Sequence, residues 1–256
     1  MLSADRLIER LVASPCCLPQ AALDELLDSY SGIGFRKFEA FSSWCASAFD
    51  PESDPSEYRR RLESRDMRCV SFHLPKIGDD AESVARAIAA ARFAAALGAR
   101  IVLYKADSIE AYIRAAKPFL DSIEGLGLTP VVQNHFGTAL SSLDDVRRAL
   151  DGIADARMQG LLEVGQFHSA GVHWLDGCNL LKDRIALVHI KDQIGRQSVP
   201  FGRGQIDLIG LFRHLESEGY AGDYVIEMEV KDRENTFRYL REAVEYLRSN
   251  LADSQT

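Results

Sequence analysis

Two rhythms of apolar and polar positions alternate along the chain. From residue 30 onward, short stretches rich in Val, Ile and Phe are followed by segments whose apolar residues return every three or four positions. The first rhythm fits strands buried on both faces and the second fits amphipathic helices. Their repeated succession is the pattern of βα units around a parallel sheet. Strands are predicted near residues 14–18, 35–41, 68–74, 100–105, 129–135, 160–164, 185–191 and 223–230. Eight such units predict an α/β fold, the closed (β/α)8 TIM barrel.

The helical segments carry their own start and stop signals. Val84, Ile88, Ala91 and Ala95 form one apolar stripe, predicted to pack on the barrel, on a helix that Gly98 can end. Ser142 followed by Asp145 reads as a capped helix start, with the hydroxyl taking a free backbone N–H and the carboxylate complementing the helix dipole. Phe237, Leu240, Val244 and Leu247 mark a closing helix, with a frayed tail expected after Asn250. The connection over residues 42–56, with Trp44, Phe49 and two prolines, is longer than a usual βα loop and is expected to form a lid or rim.

Composition narrows the class. A chain of 256 residues suits one barrel, so residues 1–256 are expected to form a single domain. A formal net charge of -8 without a basic stripe argues against nucleic-acid binding. Charged residues interrupt the amino-terminal apolar positions, and no later run is long enough for a bilayer, so a cytoplasmic protein without a membrane partner is expected. The cysteines Cys16, Cys17, Cys45, Cys69 and Cys178 lack zinc-like spacing and read as reduced thiols.

In such a barrel the carboxyl ends of the strands face one mouth, so polar residues ending successive strands converge there. Those residues are Glu39, His73, Tyr104, Gln133, Glu163, His189 and Glu227, separated by 26 to 38 residues, about one βα unit each. Polar groups at the end of apolar strands are costly to bury without a partner, and a metal ion is one such partner. Oxygen and imidazole donors without thiolates suit one divalent ion, with Mn, Mg, Co and Zn all open.

The stretch Leu187-Val188-His189-Ile190-Lys191-Asp192, followed by Phe201-Gly202-Arg203-Gly204-Gln205-Ile206-Asp207, resembles the "H-x-K-D … G-x-G-x-x-D" signature of the sugar phosphate isomerase and epimerase superfamily, the xylose isomerase-like barrels. Residues 222–227 and 34–39 are similar to it as well. The resemblance implies a metal held by Gln133, Glu163, His189 and Glu227, where the family usually has Glu, Asp, His and Glu. It also implies that Gln133 and Glu227 occupy the places of the two proton-exchanging glutamates. An amide is no general base near neutral pH, so a one-base isomerization, dehydration or β-elimination gains weight over a symmetric epimerization. Gln166 takes a position where the family often has His, and His168 follows two residues later.

The resemblance further implies a small carbohydrate substrate, a keto-sugar or polyol. Glu39, His73, Lys105, His135, His168 and Arg203 are candidate substrate contacts, with Lys105 and Arg203 suited to a phosphate or an oxyanion. Trp44 and Phe136 are candidates for stacking on a sugar face, and Lys191 for pairing with a ligand carboxylate. His173 and His214 are assigned to helices or loops. The long loop after the second strand leaves a homo-oligomer open. The rival reading is a non-catalytic sugar-binding barrel in which Gln133 and Gln166 mark a decayed site. AP endonuclease relatives would need more His and Asp and a cationic face.

Overall fold

The computed structural model describes residues 4–252. The elements, in chain order, are α1 (Ala4–Ile8), β1 (Leu11–Ala13), α2 (Leu23–Ile33), β2 (Lys37–Phe41), α3 (Pro55–Glu63), β3 (Arg68–His73), α4 (Ala81–Leu97), β4 (Ile101–Leu103) and α5 (Ile109–Ser122). They continue with β5 (Thr129–Gln133), α6 (Leu143–Ile153), β6 (Gln159–Glu163), α7 (Val164–Ser169), α8 (Trp174–Leu181), β7 (Ile185–Ile190) and the hairpin β8 (Asp192–Ile194) and β9 (Gln197–Val199). The chain closes with α9 (Leu208–Ser217), β10 (Asp223–Ile226) and α10 (Thr236–Ala252). Eight strands pair in parallel in the closed order β1-β10-β7-β6-β5-β4-β3-β2, so the fold is a (β/α)8 TIM barrel.

The first strand differs from expectation. It covers Leu11–Ala13, and Pro15–Cys17 form a turn of 3-10 helix capped by Ser14. Pro15 has no N–H to give to a ladder, so pairing stops before it. The last strand ends at Ile226, short of the predicted 230, which leaves Glu227 just beyond the ladder. The helix signals hold at 98 and 142. Gly98 ends α4 at φ 103, and both halves of the Ser142–Asp145 capping box are present. On α4 the deepest stripe is Ala87, Ala90, Ala91, Ala94 and Leu97, which includes Ala91 of the predicted stripe, with Val84, Ile88 and Ala95 at its flank. Small side chains let this helix press close, and the bulkier ones fill the edges.

A layer of Val12, Val70, Leu103, Val131, Leu161, Leu187 and Val225 fills the barrel interior, and a larger apolar shell lies between strands and helices. Above that inner layer the mouth becomes polar. Two register shifts help to build it, one between Phe38 and Glu39 opposite β3 and one between Gly160 and Leu161 opposite β7. On β3 the extra residue is Val70. It joins the inner layer, while Ser71 also points inward and reaches Glu39. On β7 the extra residue Ala186 restores the alternation that turns Leu187 and then His189 inward.

The inner layer generates a stability prediction. Leu161 is 1% exposed, so Leu161→Ala is expected to destabilise the protein by about 2–5 kcal/mol through the cavity it leaves. Leu175→Ala, at a site 36% exposed, is expected to change stability by less than about 0.5 kcal/mol. Urea denaturation midpoints of the two variants check the contrast, and equal midpoints would refute the assignment of Leu161 to the core.

Candidate metal and active site

His189 enters the barrel from β7, fully buried, and meets three carboxylates. Its Nε2 lies 3.1 Å from Glu39 Oε1, and its Nδ1 lies 3.2 Å from Glu163 Oε2 and 3.1 Å from Glu227 Oε1. Glu39 is held from the far side by the hydroxyls of Ser14 at 3.1 Å and Ser71 at 2.9 Å. Glu163 Oε1 accepts the backbone N–H of Gly165, and Asn134 straps β5 to β6 by bonding both the N–H and the carbonyl of Glu163. His73 stacks on Phe41 at 3.7 Å, with Nε2 only 3.1 Å from Glu39 Oε2 but outside hydrogen-bond geometry.

One ammonium faces this negative charge from below. Lys191 Nζ lies 2.9 Å from Glu227 Oε2, 2.9 Å from Glu229 Oε2 and 3.8 Å from Glu163 Oε1. Gly165 makes room for it, since a Cβ there would sit 2.2 Å from Lys191 Cγ. The neighbouring Asp192 turns away to fasten the rim. Its carboxylate accepts the N–H groups of Gln193, Gly202, Gly204 and Ile206. A side chain at Gly204 would put its Cβ 2.0 Å from Asp192 Oδ1, which explains the glycine of the motif.

The electrostatics follow from crowding. Burial favours the neutral form of Glu163, Lys191 opposes that, and Glu227 pushes further upward, leaving the carboxyl at about 7. Burial also acts against ionisation of Glu227, but Lys191 and His189 override it and hold this group well below the usual carboxylate range. Burial likewise opposes the charge of Glu39, and His189 and His73 overcome it. For His189 the penalty of burial is outweighed by Glu39 and Glu227, so its pKa rises. His73 falls to about 4 and Lys105 to about 8, both chiefly through burial.

The donor set fits a cation. One ligand atom from each of Glu39, His73, His189 and Glu227 can be chosen so that all lie within 4.8 Å of one another. The His73 Nε2 has no hydrogen bond and faces a carboxylate oxygen, an arrangement that a shared cation would satisfy. Around His189 the buried carboxylates of Glu39, Glu163 and Glu227 outnumber the one ammonium paired with them, that of Lys191. Oxygen and imidazole donors suit a hard or borderline divalent ion.

Above the cluster a cavity of about 350 Å³ opens, lined by Glu227, Glu229, His73, Gln133, His135, Gln166, Lys105, Lys76, Trp44 and Cys16 among others. Of the residues singled out in the sequence, Gln133 lines this cavity and its amide makes no hydrogen bond among the described residues. Glu163 lies against His189 beneath the lining. His135 faces the cavity, with burial lowering its pKa.

Three positions differ from expectation. Tyr104 turns outward, donating its hydroxyl to the Tyr112 carbonyl and packing on Phe119, because Leu103 takes the inward place on β4 and Lys105 the next one. Arg203 lies outside the cavity lining, 3.1 Å from Glu242 on α10. His168 sits on α7 and does not line the cavity, whereas Gln166 does and accepts the Phe136 N–H. Phe136 itself lies under Arg196 and His173 caps α8. Sequence reasoning missed Ser14, Ser71, Asn134, Glu229 and Cys16. Ser71 and Asn134 stand next to or two before the marked strand ends and carried that signal.

Known proteins place this geometry in context. Inosose dehydratase of Geobacillus thermodenitrificans is 27% identical over 143 residues, 48% of this chain and 48% of that protein. L-ribulose-5-phosphate 3-epimerase UlaE of Salmonella paratyphi C is 33% identical over 72 residues, 27% of this chain and 25% of the relative. The chain thus spans about half or less of the curated relatives it matches. A xylose isomerase-like TIM barrel protein from Mycobacterium smegmatis, solved in complex with magnesium, superposes over 100% of both chains with a TM-score of 0.75 at 15% identity, a likeness of fold. No helix among the described residues is long and apolar enough to cross a membrane. Residues 27–250 match the family described as xylose isomerase-like TIM barrel, and the chain belongs to that family.

Proposed function

We propose that the protein is a divalent-metal-dependent isomerase or epimerase acting on a small keto-sugar or polyol through an enediolate. The observation that carries this reading is the convergence of Glu39, His73, His189 and Glu227 within 4.8 Å at the floor of a cavity open to a small molecule. The ion would be held by His189 and Glu227, with Glu163 and the Gln133 carbonyl, or Glu39 and His73, completing its shell. When bound it would polarise the substrate carbonyl and the hydroxyl beside it.

The chain's own residues supply the proton chemistry. Glu227 stays ionised through the neutral range and opens onto the cavity, so it is the base for the carbon next to the carbonyl. His135 stands two residues beyond β5, three strands around the ring from β10, and its lowered pKa favours the neutral imidazole. It is placed to exchange a proton with a substrate hydroxyl. Gln133 orients the substrate through its free amide and takes no proton.

Gln133 also supports a second reading, elimination of water from a keto-polyol, because one carboxylate base is enough for that reaction. The inosose dehydratase relative points the same way. Running each candidate keto-sugar in deuterium oxide separates the two: exchange at the carbon next to the carbonyl with retention of oxygen marks isomerization, and loss of a hydroxyl marks elimination.

Metal content of protein purified without chelator tests the whole reading. Near-stoichiometric metal is expected in the wild type and little or none in Glu227→Gln and His189→Ala. A wild type that holds no metal after Mn2+, Co2+ or Zn2+ is supplied would sink the catalytic proposal in favour of a sugar-binding barrel.

A pH dependence follows from Glu163 at about 7 and from the raised pKa of His189. Both must release protons for a cation to enter, so metal affinity should rise with pH. The expected slope below pH 7 is at least about tenfold per pH unit, the value for one displaced proton. Competition with a chelator between pH 6 and 8, chosen about the Glu163 value, measures it. A flat profile would remove Glu163 and His189 from the binding equilibrium.

A further inference from the structure

The walls of the cavity are segregated by charge. Glu227 and Glu229 stand on the β10 side, whereas Lys76 and Lys105 stand on the β3 and β4 side, with Ser42, Ser43 and Trp44 above them. The two lysines differ in their partners. Lys76 is half-exposed at the rim and pairs with Asp107 at 2.5 Å. Lys105 forms no ion pair among the described residues, and its one hydrogen-bond partner is the Nδ1 of His73, at 3.1 Å. An ammonium carries three N–H donors, so two of them are left facing the cavity. Glu39 and Glu227 act on this ammonium only from a distance, and a largely desolvated cation with no carboxylate in contact is costly, a cost that a ligand anion would lower.

The aromatic side of the same wall supplies a second, independent observation. Trp44 is 62% exposed and held at φ 80, a left-handed conformation that a bulky residue rarely adopts. Strain of this kind is kept where the position of the side chain matters. Here it presents the indole at the cavity mouth, 5.6 Å from Phe41, whose ring lies 5.9 Å from the Lys105 Nζ. The hydroxyls of Ser42 and Ser43 make no hydrogen bond among the described residues and are free to donate. A cation, two hydroxyls and an aromatic roof therefore surround one end of the cavity, while the carboxylates occupy the other.

We propose that Lys105, with Ser42 and Ser43 beneath Trp44, forms a subsite for a terminal oxyanion, a phosphate or a carboxylate, on the polyhydroxylated substrate. The inference rests on the reading of this cavity as a sugar site and specifies its substrate class. The oxyanion lies at the β3 and β4 side, so the reacting carbonyl end points toward Glu227. A neutral sugar would leave the Lys105 ammonium with no anion in direct contact.

The test uses three unreactive probes of one length: ribitol, ribonate and ribitol 5-phosphate, titrated against the full chain while tryptophan fluorescence is followed. Only two tryptophans are present, and Trp44→Phe identifies the signal from the mouth. At least one anionic probe is expected to bind roughly ten- to a hundredfold more tightly than ribitol, the range of a hydrogen bond to a charged group. Its affinity should fall with added salt, and the tighter anion identifies phosphate or carboxylate as the natural group. Lys105→Met should bring the anion down to the affinity of ribitol and leave ribitol itself unchanged. Equal binding of all three probes by the wild type, binding of ribitol alone, or no binding of either anion would overturn the subsite whether or not the variant folds. Metal content of the same preparations reports separately on the enzyme reading, so the two can fail independently.

Discussion

The organisation of the mouth depends on one buried imidazole placed among three carboxylates. Without His189, the side chains of Glu39, Glu163 and Glu227 would confront one another in a space with little water, where like charges repel strongly. The surrounding structure is arranged to tolerate that concentration. Ser14 and Ser71 hold Glu39 from behind, Asn134 ties Glu163 to the next strand, and Lys191 is threaded past a glycine to reach Glu227. Each support comes from a different strand end. The site is therefore a property of the closed ring and of no single βα unit.

Much of this was legible in the sequence because barrel architecture converts spacing into proximity. The seven marked strand ends lie one unit apart, and His73, Gln133 and Glu227 do line one cavity. What spacing cannot deliver is parity. Tyr104 and Lys105 are neighbours in sequence, but Leu103 occupies the inward place, so the tyrosine goes to the helix layer and the lysine to the mouth. The first strand was misplaced for a similar reason. Apolar residues continue past Pro15, yet the ring of the proline ends the ladder at Ala13. Arg203 illustrates a different limit. Its motif is a rim fastening organised by Asp192, which places the arginine on the outer surface beside Glu242.

Gln133 is where this chain departs most from the pattern its family resemblance implies. The amide keeps an oxygen that can face a cation or a hydroxyl and gives up a charge in a mouth already crowded with them. With Glu39 contributing a buried carboxylate from β2, the total negative charge around His189 is not reduced in proportion. Gln133 leaves the β5 end of the mouth without acid, beside the strand that leads to Lys105.

The register shift on β3 bears on how such a site can change over generations. Val70 is one residue more than the ladder with β2 needs, and its presence sets which of the following side chains face inward. A one-residue slip of this strand against β2 would carry Val70 and Phe72, or Phe72 and Leu74, to the places of Ser71 and His73, replacing the hydroxyl and imidazole together. Length is thus frozen inside the strand, whereas the neighbouring 42–56 connection is free to lengthen or shorten. Variation in what the barrel accepts is expected to accumulate in that connection, leaving the arithmetic of the strand untouched.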